Sequence, residues 1–144
     1  MYESVLVATD GSETADEAVK VATELAKAFG ATLHIVSVYQ GGRGGTLRVP
    51  EMKMALPEGI DAASVAATQT ESLASQARTK GVTAETHVVS GNPAEQIVAV
   101  AEEQQVDLIV VGNKGMRGVK RVLGSVPNAV AHSASCSVLI VATT

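Results

Sequence analysis

Five short apolar runs, separated by stretches of helical periodicity, limit what this chain can fold into. They are Val5–Ala8, Leu33–Val38, Val82–Val89, Leu108–Val111 and Val138–Val141. Each is rich in Val, Ile or Leu and short enough for a buried strand. The first, fourth and fifth show little polar alternation, which predicts strands covered on both faces and hence a parallel sheet. Between the first two runs, Ala15, Val19, Ala22 and Ala26 recur at three- and four-residue steps. Ala18, Leu25 and Phe29 widen that stripe into an amphipathic helix over Ser12–Gly30. Ser12 or Thr14 is its expected N-cap, Thr14 forming a capping box with Glu17, and Gly30 its stop. A second, Ala-rich helix is predicted from about Asp61 to Lys80, stopped by Gly81. Asn92 and Pro93 serve as cap and first position of a third helix, reaching about Gln104. Ser125 and Pro127 start a fourth that reaches about Ser133. The resulting β-α-β-α-β-α-β-α-β order predicts an α/β fold. It is one doubly wound, Rossmann-like domain over residues 1–144, with five parallel strands and four flanking helices.

One stretch departs from this economy. Gln40–Pro57 contains Gly41, Gly42, Gly44, Gly45, Pro50 and Pro57, and connections of this length are usually functional or unstructured. No helical pattern opens directly behind its glycines, so it is not a phosphate-binding fingerprint. A flap or plain disorder is the expectation.

Composition removes several function classes. With 46% apolar and 18% charged residues in 144, the chain is too apolar for intrinsic disorder. Its only aromatics are Tyr2, Phe29 and Tyr39, too few for a base-stacking platform. A net charge of −4 provides no general field for nucleic acid or anionic lipid. A single cysteine, Cys136, rules out an intramolecular disulfide and suits a reducing compartment. The start Met-Tyr-Glu-Ser-Val lacks a signal-peptide pattern, and no run approaches the roughly 18 apolar residues of a membrane span. A cytoplasmic protein is expected.

Ligands of open parallel sheets bind beyond the carboxyl ends of the strands, where the strand order reverses. The turns after the first and fourth strands therefore matter most. The first strand ends Ala8-Thr9-Asp10-Gly11-Ser12, placing Asp10 where a carboxylate accepts from ribose hydroxyls or an amino group. The competing reading is that Asp10 and Ser12 only cap the turn. After the fourth strand, Gly112 to Ser125 contains Lys114, Arg117, Lys120 and Arg121, four of the eleven basic residues. Its glycines permit close backbone approach, and the helix that begins near Ser125 offers N–H donors and a favourable dipole to an anion. A glycine-jointed solvated loop is the alternative.

Other candidates are weaker. His132 and Cys136 lie four apart, half of a structural zinc site at best. His34 and His87 sit in strands without metal-ligand spacing, and Cys136 has no basic neighbour in sequence to activate it. Glu102–Glu103 and Asp16–Glu17 fall on solvated helix faces. Neither a nucleophile elbow nor a Walker motif occurs.

Gly112-x-x-Gly115, a spacer, then Gly124-Ser125 resembles the nucleotide-binding signature of universal stress proteins. The opening Val5-Leu6-Val7-Ala8-Thr9-Asp10-Gly11-Ser12, the turn Gly91-Asn92-Pro93 and the ending Ser137-Val138-Leu139-Ile140-Val141 resemble that family too, so the likeness spans the chain. It implies a sheet of order 3-2-1-4-5 and a homodimer paired through Ser137 to Val141. It further implies membership of the ATP-binding branch, with ATP held with or without Mg2+. Ala8, Thr9 and Asp10 would line the adenosine pocket, Val38 would meet adenine, and Val111 and Gly112 would close the other side. Lys114 and Gly115 would approach the ribose and phosphates, and Gly124, Ser125, Val126 and Pro127 would hold the phosphate chain. One departure stands out: the spacer Met116–Leu123 has eight residues where the family uses nine, which bears on the phosphate contacts most. With no positioned general base and no acidic pair for two metals, ATP hydrolysis is expected to be slow at most. The role implied is that of a stress-response regulator or sensor. A cyclic AMP binder and a nucleotide-free homodimeric interaction module remain as alternatives.

Overall fold

The apolar runs do become strands, and their side chains divide between two helical layers. A computed structural model describes residues 1–10, 13–39, 46–49, 52–55, 61–113 and 126–142. In chain order the elements are β1 (Ser4–Thr9), α1 (Glu13–Phe29), β2 (Thr32–Tyr39), β3 (Thr46–Val49), β4 (Met52–Ala55), α2 (Ala62–Thr79), β5 (Ala84–Ser90), α3 (Pro93–Glu103), β6 (Leu108–Gly112), α4 (Val126–Ser133) and β7 (Ser137–Val141). The main sheet has the order β5-β2-β1-β6-β7 with every pair parallel. Counting its five strands along the chain, this is the expected order 3-2-1-4-5.

Because side chains alternate along a strand, β1 feeds two cores. Val5 and Val7 pack with Leu33, Ile35 and Val110 against Ala18, Ala22 and Ala26 of α1 and Ala74 and Ala77 of α2. Leu6 faces the other way, with Val36, Ile109, Ile97 and Val100 of α3 and Val130 of α4. Val5, Leu6, Val7, Leu33, Ile35, Ile109 and Val110 are all fully buried. Alanine on the inner helix faces lets the helices approach the sheet closely, which is how a core almost without aromatics reaches dense packing.

The helix punctuation follows the sequence closely. Asp61 caps α2 by accepting from the Ser64 N–H at 2.7 Å, and Asn92 caps α3 by accepting from the Glu95 N–H at 3.1 Å, with Pro93 in the first turn. Gly30 and Gly81 take φ of +66° and +86° at the ends of α1 and α2, conformations that favour glycine. At the amino edge of the sheet, the Asp107 carboxylate accepts from the N–H groups of Glu3 and Ser4 at 2.9 and 3.2 Å, tying the start of β1 to that of β6.

Three expectations need correction. Thr14 is the second residue of α1, so it is not the N-cap and the Thr14–Glu17 capping box does not form the start of this helix; Ser12 lies outside the described residues. The stretch Gln40–Pro57 is not wholly without structure, since β3 and β4 pair antiparallel from Thr46↔Ala55 to Val49↔Met52. β7 is not covered on both faces within the chain. It forms the sheet edge that the order 3-2-1-4-5 implies, and there Leu139 and Ile140 remain 38% and 37% exposed. Among the described residues, no helix is long and apolar enough to cross a membrane.

Candidate functional site

The sheet opens at one place. β1 pairs with β2 as far as Thr9↔Ser37, and β6 pairs with β7 as far as Gly112↔Val141. Between β1 and β6, however, the ladder runs only from Val5↔Leu108 to Val7↔Val110. It stops two residues short of the carboxyl ends of both strands. β1 is followed in the chain by β2 on one side and flanked by β6 on the other, so the gap falls where the strand order reverses. Crevices of this kind are the ligand sites of doubly wound sheets.

Of the residues predicted from sequence, those at the ends of β1, β2 and β6 and at the start of α4 are among the described residues. Ala8, Val38 and Val126 pack against the core cluster under α3 and α4, and Val111, 3% exposed, belongs to it. They give the crevice an apolar base. Pro127, in the first turn of α4, is buried. Thr9 is 6% exposed on the opposite face of β1, and Asp10 follows it at the exposed strand end. The carboxyl end of β1 thus offers a hydroxyl and a carboxylate next to an apolar surface. That combination suits a ligand with one flat apolar face and neighbouring hydroxyl groups. Gly112 is half-buried at the end of β6, and the Asn113 N–H donates to the Val141 carbonyl at 2.9 Å, fixing the departure of the following connection. Lys114, Gly115, Gly124 and Ser125 lie outside the described residues.

One neighbour of this edge carries no signal in the sequence. Tyr39, half-buried, closes β2 beside Val38 and pairs with Ser90 at the end of β5. Gly91, with φ of +129°, then turns the chain sharply into the Asn92 cap. The direct cross-strand partner of Tyr39 depends on the register of two strands separated by α2, which no local pattern encodes.

The remaining reactive side chains lie elsewhere. Cys136 is half-buried near the opposite, amino end of β6, in a hollow lined also by Val98, Ala101, Val106 and Ile109. Burial pushes its thiol up from the ordinary cysteine value and the nearby Asp107 carboxylate adds to this, the reverse of what a nucleophile needs. His132 is exposed on α4. No group of three His, Cys, Asp or Glu side chains capable of holding a metal occurs among the described residues. His34 and His87, treated as unrelated in sequence, touch: His34 Nδ1 lies 3.0 Å from His87 Nε2.

Comparison with known proteins agrees with this architecture. The sequence profile described as the universal stress protein family matches residues 1–142. Universal stress protein YxiE of Bacillus subtilis is 36% identical, the match covering 98% of this chain and 99% of that protein. Universal stress protein A homolog 1 of Coxiella burnetii is 33% identical over 97% of this chain and 96% of its own length. A crystal structure of a universal stress protein in complex with cAMP superimposes with a TM-score of 0.79 at 32% identity, covering 99% of this chain and 98% of that one. A profile match over nearly every residue, a shared sheet order and relatives above 30% identity together establish that this chain belongs to the universal stress protein family.

Proposed function

We propose that this protein is an adenine-nucleotide-binding regulator or sensor of the universal stress type, with the nucleotide seated where β1 and β6 part. The observation that carries this reading is the β1–β6 ladder ending at Val7↔Val110, with Ala8, Val111 and Val38 forming an apolar base beside Thr9 and Asp10. An adenine ring matches that base, and Asp10 provides a charged acceptor for ribose hydroxyls. Gly112 would close the other side with Val111, Lys114 and Gly115 would approach the ribose and phosphates, and Gly124, Ser125, Val126 and Pro127 would hold the phosphate chain. Glycine-jointed backbone followed by a helix start presents N–H donors to an anion, and the basic side chains add charge. ATP, with or without Mg2+, is the ligand this set of residues suits best, because four cations follow β6 within a few positions of one another. Where Mg2+ accompanies the phosphates, it neutralises part of their charge.

A second reading, cyclic AMP in the same pocket, is favoured by the 32% identical universal stress protein whose structure holds that ligand. Cyclic AMP asks for fewer phosphate contacts and so depends less on the eight-residue spacer. In either case the protein acts as a cytoplasmic homodimer, joined through the exposed β7 edge, and turns over ATP slowly if at all. Denaturing the purified protein and separating what it releases by ion-exchange chromatography tests the reading. ATP or its hydrolysis products support the first form and cyclic AMP the second. Neither release nor rebinding of any adenine nucleotide would leave only a nucleotide-free interaction module.

A further inference from the structure

We propose that His34 and His87 form a proton-operated latch that holds the edge strand β5 against β2 and loosens in mildly acidic conditions. Register puts both rings on one face of the sheet. His34 pairs with Leu6 of β1 and His87 with Val36 of β2, and Leu6 and Val36 both point into the core under α3 and α4. His34 is only 4% exposed, His87 half-buried, and the ring nitrogens meet at 3.0 Å with centroids 5.2 Å apart.

At this distance one nitrogen must donate and the other accept. With both rings neutral the pair makes one hydrogen bond across β2 and β5. A first proton is tolerated, because an imidazolium donating to an imidazole keeps the same geometry. A second proton leaves two N–H groups and two positive charges facing each other, and no acceptor between them. The surroundings do little to offset this. β1 brings no titratable group between Ser4 and Thr9, and α3 presents Ile97, Val100 and Ala101 to this side while Glu95, Glu102 and Glu103 are exposed. Glu85, directly opposite His34 on β5, is the only carboxylate acting on it from the neighbouring strand. Burial, followed by the charge of His87, lowers the His34 value below 6.5, and Glu85 opposes this in part.

The sign follows from proton counting. An unfolded chain takes up the His34 proton near pH 6.5, whereas the folded chain excludes it until lower pH. Stability is therefore complete above 6.5 and declines as pH falls below it, the unfolding constant rising by up to tenfold per pH unit for one excluded proton. The loss is concentrated at β5, which has no strand on its other side.

The full chain, kept in chelator so that no metal bridges the rings, is followed by NMR of ring-labelled histidine and by urea unfolding between pH 7.5 and 5.5. Three results are expected. The His34 ring titrates with a midpoint below 6.5. The unfolding constant of the native protein rises several-fold more over this range than that of His34→Asn or His87→Gln. Amide exchange speeds up in Glu85–Val89 before it does in β1. A His34 midpoint at or above 6.5 overturns the proposal, as does an identical pH dependence in native protein and both variants. Exchange that speeds up uniformly over the sheet also overturns it. The NMR titration needs no variant and decides the matter even if both substitutions unfold.

Discussion

If the proposed homodimer pairs through β7, replacing Leu139 and Ile140 together by serine should dissolve it while sparing the fold. Both side chains stand on the edge strand β7 and keep 38% and 37% of their surface exposed in the single chain. Fully burying a Leu or Ile side chain is worth about 1.5–3 kcal/mol. Covering the remaining third or so therefore contributes roughly 0.5–1 kcal/mol per residue, or about 1–2 kcal/mol per protomer. An isologous interface counts each residue twice, so the double substitution removes about 2–4 kcal/mol per dimer. That corresponds to a dissociation constant raised by roughly thirty- to a thousandfold. Sedimentation equilibrium across a concentration series reads this directly, and circular dichroism confirms that the sheet persists. A well-folded variant whose dissociation constant is unchanged would refute the argument and move the interface away from Ser137–Val141.

Two further substitutions test the scaffold. Ile109→Ala on β6, fully buried under α3, should cost about 2–5 kcal/mol in urea unfolding; a loss under about 1 kcal/mol would mean that this face of the sheet is loosely packed. Asn92→Ala removes the acceptor for the Glu95 N–H and should cost about 0.5–2 kcal/mol by the same assay, with the Asp variant retaining most of the stability.

The parts of this architecture that were legible in sequence are those fixed locally. Val5–Ala8 and Leu108–Val111 are continuously apolar because both faces of a central parallel strand are covered, and Asn92-Pro93 announces a helix start through its own capping chemistry. The illegible parts depend on register between distant segments. The His34–His87 contact joins residues 53 positions apart, and nothing around either histidine reveals that β2 and β5 set them diagonally across the ladder. The β3–β4 ribbon was hidden for a different reason: its flanking glycines and prolines outweighed two four-residue strands. β7 divides the two kinds of reading: its edge position follows from the order 3-2-1-4-5, whereas the unbroken apolar composition of Val138–Val141 suggests cover on both faces and does not reveal that Leu139 and Ile140 stay 38% and 37% exposed. At the candidate site, the ends of β1 and β6 were readable from the rule that ligands collect where strand order reverses. That the β1–β6 ladder parts after Val7↔Val110 was not.

Calorimetric titration of the purified protein with ATP, run beside Asp10→Ala, reads nucleotide binding at the β1–β6 crevice. Saturable binding of one nucleotide per chain is expected, with an affinity loss of roughly ten- to a hundredfold in the variant, the worth of a charge-assisted hydrogen bond of about 1.5–3 kcal/mol. No saturable binding of ATP or cyclic AMP, or equal affinity in a well-folded Asp10→Ala protein, would contradict this expectation.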